Sequence, residues 1–155
     1  MKYGVVVFPG SNCDHDAWWA TKACAKQQVK YIWHKDSVLP DDIDCVILPG
    51  GFSYGDYLRC GSIASHSSIM KEVNLFANKG GYVIGICNGF QILIEAGLLH
   101  GALLRNNSLH FVCKDIFLET MNFSTPFTNK IDKKKILRIP VAHNDGNFFG
   151  SPELI

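Results

Sequence analysis

The chain opens on a run of apolar positions, Lys2 to Phe8 (K-Y-G-V-V-V-F), with three consecutive valines. A strand with one wet face alternates, whereas an unbroken apolar strand is buried on both faces, as in a parallel sheet. Val29 to Trp33, Asp44 to Leu48 (D-C-V-I-L) and Tyr82 to Ile86 repeat this pattern. Between the first two lies the turn Pro9-Gly10-Ser11-Asn12, and Asn12 or Asp14 is placed to cap a helix running to about Gln27. Asp36 to Asp42, with Pro40, is a turn-rich connection. A second helix is expected from about Ser62 to Asn78, with Gly80-Gly81 as its C-cap. From Phe90 to Ala96 the apolar residues Phe90, Leu93 and Ile94 have helical spacing. Strands alternating with helices predict an α/β fold, a mainly parallel sheet with helices on both faces. Ligands bind such sheets beyond the carboxyl ends of the strands.

After Gly101 the rhythm changes. Ser108 to Glu119 and Ile136 to Ala142 read as strands, joined by a loop containing Asn122, Pro126 and Lys133 to Lys135. His143-Asn144-Asp145-Gly146-Asn147-Phe148 follows the second. At the end, Ser151 and Pro152 have the look of an N-cap and the first residue of a helix.

The chemistry is concentrated where the fourth strand meets its helix, at Gly85-Ile86-Cys87-Asn88-Gly89. This is the nucleophile-elbow pattern G-x-S-x-G with sulfur in place of oxygen. A strand that turns at once into a helix strains the nucleophile's backbone, by about 1–3 kcal/mol. A Cβ two residues away on either side would crowd the turn. The thiol then stands at a helix N-terminus, where the dipole favours the thiolate. The plainer reading is a core cysteine between two loop glycines, but strand, elbow and helix agree with one another. Beyond the third strand runs Pro49-Gly50-Gly51-Phe52-Ser53-Tyr54-Gly55-Asp56-Tyr57-Leu58-Arg59-Cys60-Gly61, with four glycines in thirteen residues. The topology puts it beside Cys87. Alone it reads equally well as a tight β-turn; paired with the elbow one strand away, the functional reading is favoured.

Composition removes alternatives. At 155 residues with 47% hydrophobic and 19% charged positions, the chain is sized as one globular domain, residues 1–155. A formal net charge of +1 gives no footprint for nucleic acid or an anionic membrane. No apolar run is long enough for a membrane span, and the N-terminus reads as a strand. The first strand-turn lacks G-x-G-x-x-G, and no G-K-[ST] follows, so neither a dinucleotide nor a P-loop site is expected. The six cysteines show neither C-x-x-C nor zinc spacing, and all but Cys87 are expected to be small core hydrophobes in a reducing cytosol. Cys13-Asp14-His15-Asp16 offers four adjacent ligand types that cannot easily close on one ion.

Three segments carry a family resemblance: V-V-F-P-G-S-N-C-D-H-D (Val6 to Asp16), L-P-G-G-F-S-Y-G-D-Y-L-R-C-G (Leu48 to Gly61) and G-I-C-N-G-F-Q (Gly85 to Gln91). Together they resemble class I, triad-type, glutamine amidotransferases with a flavodoxin-like fold. Within these they look most like the glutaminase subunits of phosphoribosylformylglycinamidine synthases. The resemblance runs along the whole chain and covers the front part of the family domain, which implies a domain incomplete at the C-terminus. It implies that Cys87 attacks the side-chain amide of L-glutamine and that the thioester is hydrolysed. It implies an oxyanion hole from the backbone N–H groups of Gly51 and Asn88. Substrate contacts are implied at Gly50, Phe52, Gln91 and His143, although Asn144 and Asp145 stand where the family's A-H-G-E-G loop has Gly and Glu. The implied partners are an ATP- and magnesium-using synthetase subunit and a small third subunit. The chain itself would need no cofactor, bind no nucleic acid or membrane, and work in the cytoplasm. The family's base, a His with a Glu two residues on, has no counterpart here, because no H-x-E occurs. The 155 residues alone are therefore expected to be poorly active. Two alternatives remain, a catalytically dead scaffold and a Cys-elbow stress-response or peptidase-like protein. The latter usually has His directly after the Cys, where this chain has Asn88.

Overall fold

The computed structural model describes residues 1–152. The expected helix at the chain's end thus lies, beyond Ser151 and Pro152, outside the described residues. By its own contacts the chain forms two compact units, one of Met1–Leu103 joined by the segment from Phe149, the other of Leu104–Phe148.

The first unit is built on four parallel strands, Lys2–Val7 (β1), Gln28–Trp33 (β2), Cys45–Leu48 (β3) and Tyr82–Gly85 (β4), in the order β2-β1-β3-β4. The register sets Val5 beside Tyr31 and Ile47, and Ile47 beside Ile84. Val6, Phe8, Ile32, Val46 and Leu48 face one way, into a core with Ile69, Met70, Val73, Ile92 and Leu93 from two helices. Val5, Cys45 and Ile47 are also buried, yet they lie on the opposite face. The unbroken apolar runs of the two central strands, β1 and β3, follow from that double burial, while β2 and β4 are more exposed. Since the chain first moves from β1 out to β2 and later from β3 to β4, right-handed crossovers put helices on both faces.

The helices depart from the sequence reading in two places. Asp14–Trp19 (α1) widens into a π-helical turn over Ala20–Cys24, and Lys26 then takes φ 53°, so the helix stops short of Gln27. Neither Asn12 nor Asp14 caps it: Cys13 occupies the N-cap position, with no side-chain cap bond. The expected single helix from Ser62 to Asn78 is two, Ser62–Ser65 (α2) and Ser68–Asn78 (α3). The break is at Ser67, whose ψ of 149° is extended. It frees the Ile69 N–H to donate to the carbonyl of His34 at 3.3 Å. The C-terminus of α3 is as expected: Gly80 has φ 89°, and Gly80 and Gly81 N–H reach the carbonyls of Ala77 and Phe76. That is the Schellman pattern. Asn88–Glu95 (α4) follows β4.

The second unit contains an antiparallel pair, Val112–Leu118 (β6) and Leu137–His143 (β7), with Val112 opposite His143 and Leu118 opposite Leu137. The expected strand from Ser108 begins only at Val112, because Leu109 turns the chain at φ 57°. Asp115 and Arg138, diagonal neighbours across the pair, form an ion pair. Two short strands, Ala102–Leu104 (β5) and Asn147–Phe149 (β8), pair with each other. No helix among the described residues is long and apolar enough to cross a membrane.

Candidate active site

Cys87 stands between β4 and α4 with φ 53° and ψ −109°, left-handed backbone that L-residues avoid. Its side chain is exposed. Its carbonyl accepts from the N–H groups of Phe90 and Gln91 at 3.0 and 3.2 Å, so the helix begins at once. The flanking glycines have steric reasons. A Cβ on Gly89 would stand 2.0 Å from the carbonyl oxygen of Leu48, and one on Gly85 would stand 2.6 Å from that of Gly89. The elbow fits only because both are bare.

The glycine loop comes to the same place. A Cβ on Gly50 would lie 3.4 Å from the Cβ of Cys87 and 3.6 Å from that of Cys13. Gly51 has φ 127° and presses on Asn12, where a Cβ would meet Oδ1 at 2.4 Å. The loop is laced to the β1–α1 turn by Cys13 N–H to Gly50 O, Phe52 N–H to Gly10 O and Tyr54 N–H to Pro9 O. Six of the twelve residues from Gly50 to Gly61 have positive φ, among them Tyr54, Asp56 and Leu58, which are not glycine. With Cys87 they make four left-handed side-chain-bearing residues, each costing about 1–2 kcal/mol. Strain of this kind persists only where the surroundings over-determine the backbone.

Much of that support comes from Asn88. It is 1% exposed, and its Oδ1 accepts the Ser53 N–H at 3.1 Å. Its Nδ2 donates to Asp56 Oδ1 at 3.2 Å and to Gln91 Oε1 at 3.0 Å. The resemblance implies a role for the backbone N–H of Asn88; two of its side chain's three partners, Ser53 and Asp56, lie more than thirty residues away, where spacing gives no signal. At the loop's tip, Tyr54 Oη bonds His34 Nδ1 at 2.8 Å and Ser67 Oγ at 3.2 Å. Burial, helped by the neighbouring Lys35, holds the His34 imidazole below its usual pKa. Further on, Arg59 closes a two-point ion pair with Glu95 of α4, which pushes the guanidinium pKa up. Gly61 lets α2 reach α4, since a Cβ there would be 2.8 Å from the Ile92 nitrogen.

Gly50, Gly51, Phe52, Cys87, Asn88 and Gln91 are thus all in the first unit, with the Gly50 backbone against the thiol-bearing residue. Phe52 is half exposed. His143 belongs to the second unit, where its Nδ1 lies 3.0 Å from Asn106 Oδ1. The expectation that the other five cysteines are core residues fails: only Cys45 is buried, with its thiol pushed up to about 11 by burial, while Cys24 and Cys113 are exposed. An apolar neighbourhood in sequence does not set which way a small side chain points. Cys13 is half-buried, and its thiol is raised by burial first and then by the charges of Asp16, Cys87 and Asp14.

Comparison with known proteins decides the family. The family described as CobB/CobQ-like glutamine amidotransferase domain matches residues 1–155. The chain belongs to this family. It is 53% identical over 148 residues to the phosphoribosylformylglycinamidine synthase subunit PurQ of Alkaliphilus metalliredigens, covering 96% of this chain and 65% of the relative. The PurQ subunit of Salinibacter ruber is 53% identical over 154 residues, covering 99% of this chain and again 65% of the relative. The solved structure of PurLQS from Thermotoga maritima contains a chain that superposes with a TM-score of 0.89 at 47% identity. The match covers 96% of this amidotransferase domain and 69% of that chain. The domain therefore spans about two thirds of the length of the curated relatives it matches.

Proposed function

We propose that this amidotransferase domain hydrolyses L-glutamine through Cys87 and supplies ammonia to the synthetase subunit of phosphoribosylformylglycinamidine synthase, in cytoplasmic purine biosynthesis. The observation that carries the reading is the exposed thiol at φ 53°, with Gly50 of the glycine loop so near that a Cβ there would lie 3.4 Å from the Cys87 Cβ. The thiolate sulfur bonds to the amide carbon of the glutamine side chain, and the C–N bond breaks with departure of ammonia. Water then cleaves the thioester to release glutamate. The backbone N–H groups of Gly51 and Asn88 would steady the oxyanion, each such donor being worth about 2.7–4 kcal/mol in the transition state. Gly50, Phe52 and Gln91 would contact the substrate; for His143 only the family resemblance implies such a contact. This chemistry calls for no cofactor in this chain; ATP and magnesium would be bound by the synthetase, with a small third subunit completing the assembly. The relatives' names and the likeness to a PurLQS chain support these partners.

An electrophilic glutamine analogue tests the assignment. It is expected to label Cys87 in preference to the other five cysteines, followed by mass spectrometry of the peptides. Predominant labelling at Cys13 or Cys60 would overturn it. Turnover by the 155 residues alone is expected to be slow, because nucleophile and base act as a unit and no H-x-E is present. Fast turnover abolished by His143→Ala would instead make His143 the base.

A further inference from the structure

Asn106, in the second unit, is 7% exposed and uses its whole amide. Nδ2 donates to the carbonyls of His110 and His143, at 2.9 and 3.0 Å. Oδ1 accepts the Gly146 N–H at 3.0 Å and faces His143 Nδ1, also at 3.0 Å. Its backbone N–H donates to the carbonyl of Asn144 at 2.8 Å. Residues 143, 144 and 146 of the loop are thereby all held by one side chain and its own amide.

The chemistry of these partners removes an ambiguity. Two carbonyl oxygens can only accept, so the amide nitrogen must face them and the amide oxygen must face the imidazole. An acceptor opposite Nδ1 requires a hydrogen on Nδ1. In the neutral ring the lone pair is then on Nε2. Gly146 closes the other side: a Cβ there would stand 2.1 Å from His143 Cε1 and 2.2 Å from Nδ1. Only glycine lets the ring lie against this turn.

We infer that Asn106 is a positioning residue that fixes His143 as the Nδ1–H tautomer, presenting Nε2 as a hydrogen-bond acceptor for an N–H donor such as an amide or ammonium group. The use of that acceptor toward glutamine rests on the glutaminase reading; the tautomer does not.

Imidazole nitrogen–proton correlation spectra of the 15N-labelled protein, at a pH where the ring is neutral, read the tautomer directly. Nδ1–H is expected for His143, and the Nε2–H form would overturn the assignment. Asn106→Asp keeps an acceptor for Nδ1 and is expected to keep that tautomer. Asn106→Ala, and separately Gly146→Ala, which forces the ring off its seat, are expected to move His143 toward the Nε2–H form that free histidine prefers. An unchanged tautomer in both would refute the role of Asn106. In assays with the synthetase subunit, Asn106→Ala is expected to lower glutaminase kcat/KM by about tenfold, the worth of one lost hydrogen bond, with Asn106→Asp recovering part of it. Failure of an electrophilic glutamine analogue to label Cys87 would count against the glutaminase reading alone, because the spectra decide the tautomer independently.

Discussion

The backbone N–H of Ser53 donates to Oδ1 of Asn88 at 3.1 Å, so the residue that follows the thiol also holds the loop opposite it. One side chain therefore sets the spacing of the two backbone segments proposed to share the oxyanion. Asn88→Ala removes this acceptor and both Nδ2 bonds, leaving a buried Ser53 N–H unpaired. The expected loss is about 1–3 kcal/mol, read by denaturant unfolding. Asn88→Asp keeps the acceptor but sets a carboxylate beside Asp56, so it is expected to destabilise at neutral pH and to recover as the pH falls into the carboxylate range. A cost for alanine well under 0.5 kcal/mol, roughly the floor for a net hydrogen bond, would show that the loop stands without it.

Two glycines of α4 and its end separate steric from conformational need. At Gly89 an added Cβ would meet the Leu48 carbonyl at 2.0 Å. At Gly97, with φ 73°, there is nothing within 4 Å. Gly97→Ala is expected to cost about 1 kcal/mol, the left-handed penalty alone. Gly89→Ala is expected to cost about 3 kcal/mol or more, since backbone must move. Equal costs would mean that the elbow is looser than its geometry.

The strands, the elbow and the C-cap of α3 were legible because each depends on local pattern. Four apolar runs fixed β1 to β4, the G-x-C-x-G spacing fixed Cys87, and Gly80-Gly81 closed α3 as expected. What was not legible depends on partners distant in sequence. Ser67 breaks the expected helix where Ile69 N–H turns to His34, a contact no helical periodicity reports. The side chains of Asn88 and Asn106 carry no mark in the sequence, and only the fold reveals that each is buried and fully engaged. The cysteines mislead for the converse reason, since a hydrophobic context in sequence does not bury a side chain.

His34 gives a pH signature. It lies 4% exposed against Tyr54, Trp33 and Phe8, with Lys35 and Asp36 adjoining in sequence, and burial lowers its pKa in the fold. The unfolded chain then binds a proton that the folded one refuses. This contribution is complete above the unfolded value of about 6.5 and is lost as the pH falls from there toward the depressed folded value. Stability measured by thermal unfolding is expected to decline over that window, and His34→Gln is expected to flatten the decline. A decline of equal slope in the variant would assign it to other groups.

Apolar surface is prominent: Tyr82 on β4 is 39% exposed, and Ile86 directly after it is 50% exposed. Among the described residues β4 pairs with β3 alone, leaving an edge. Exposed edges and apolar patches favour association. The 155-residue chain is expected to sediment as concentration-dependent oligomers. A single monomeric species over a wide concentration range would refute this.

The order in which the chain leaves the ribosome is not the order in which the site becomes complete. Residues 53–56 emerge more than thirty positions before Asn88, yet two of the bonds that hold them, at Ser53 N–H and Asp56 Oδ1, come from Asn88. Until β4 has paired with β3 and α4 has docked, those two bonds are missing from the set that offsets the strain of the loop. The thiol and its glycine-rich counterpart are therefore one cooperative unit of folding, and amide exchange at Ser53 is expected to open together with the first turn of α4 rather than with the strand that precedes the loop.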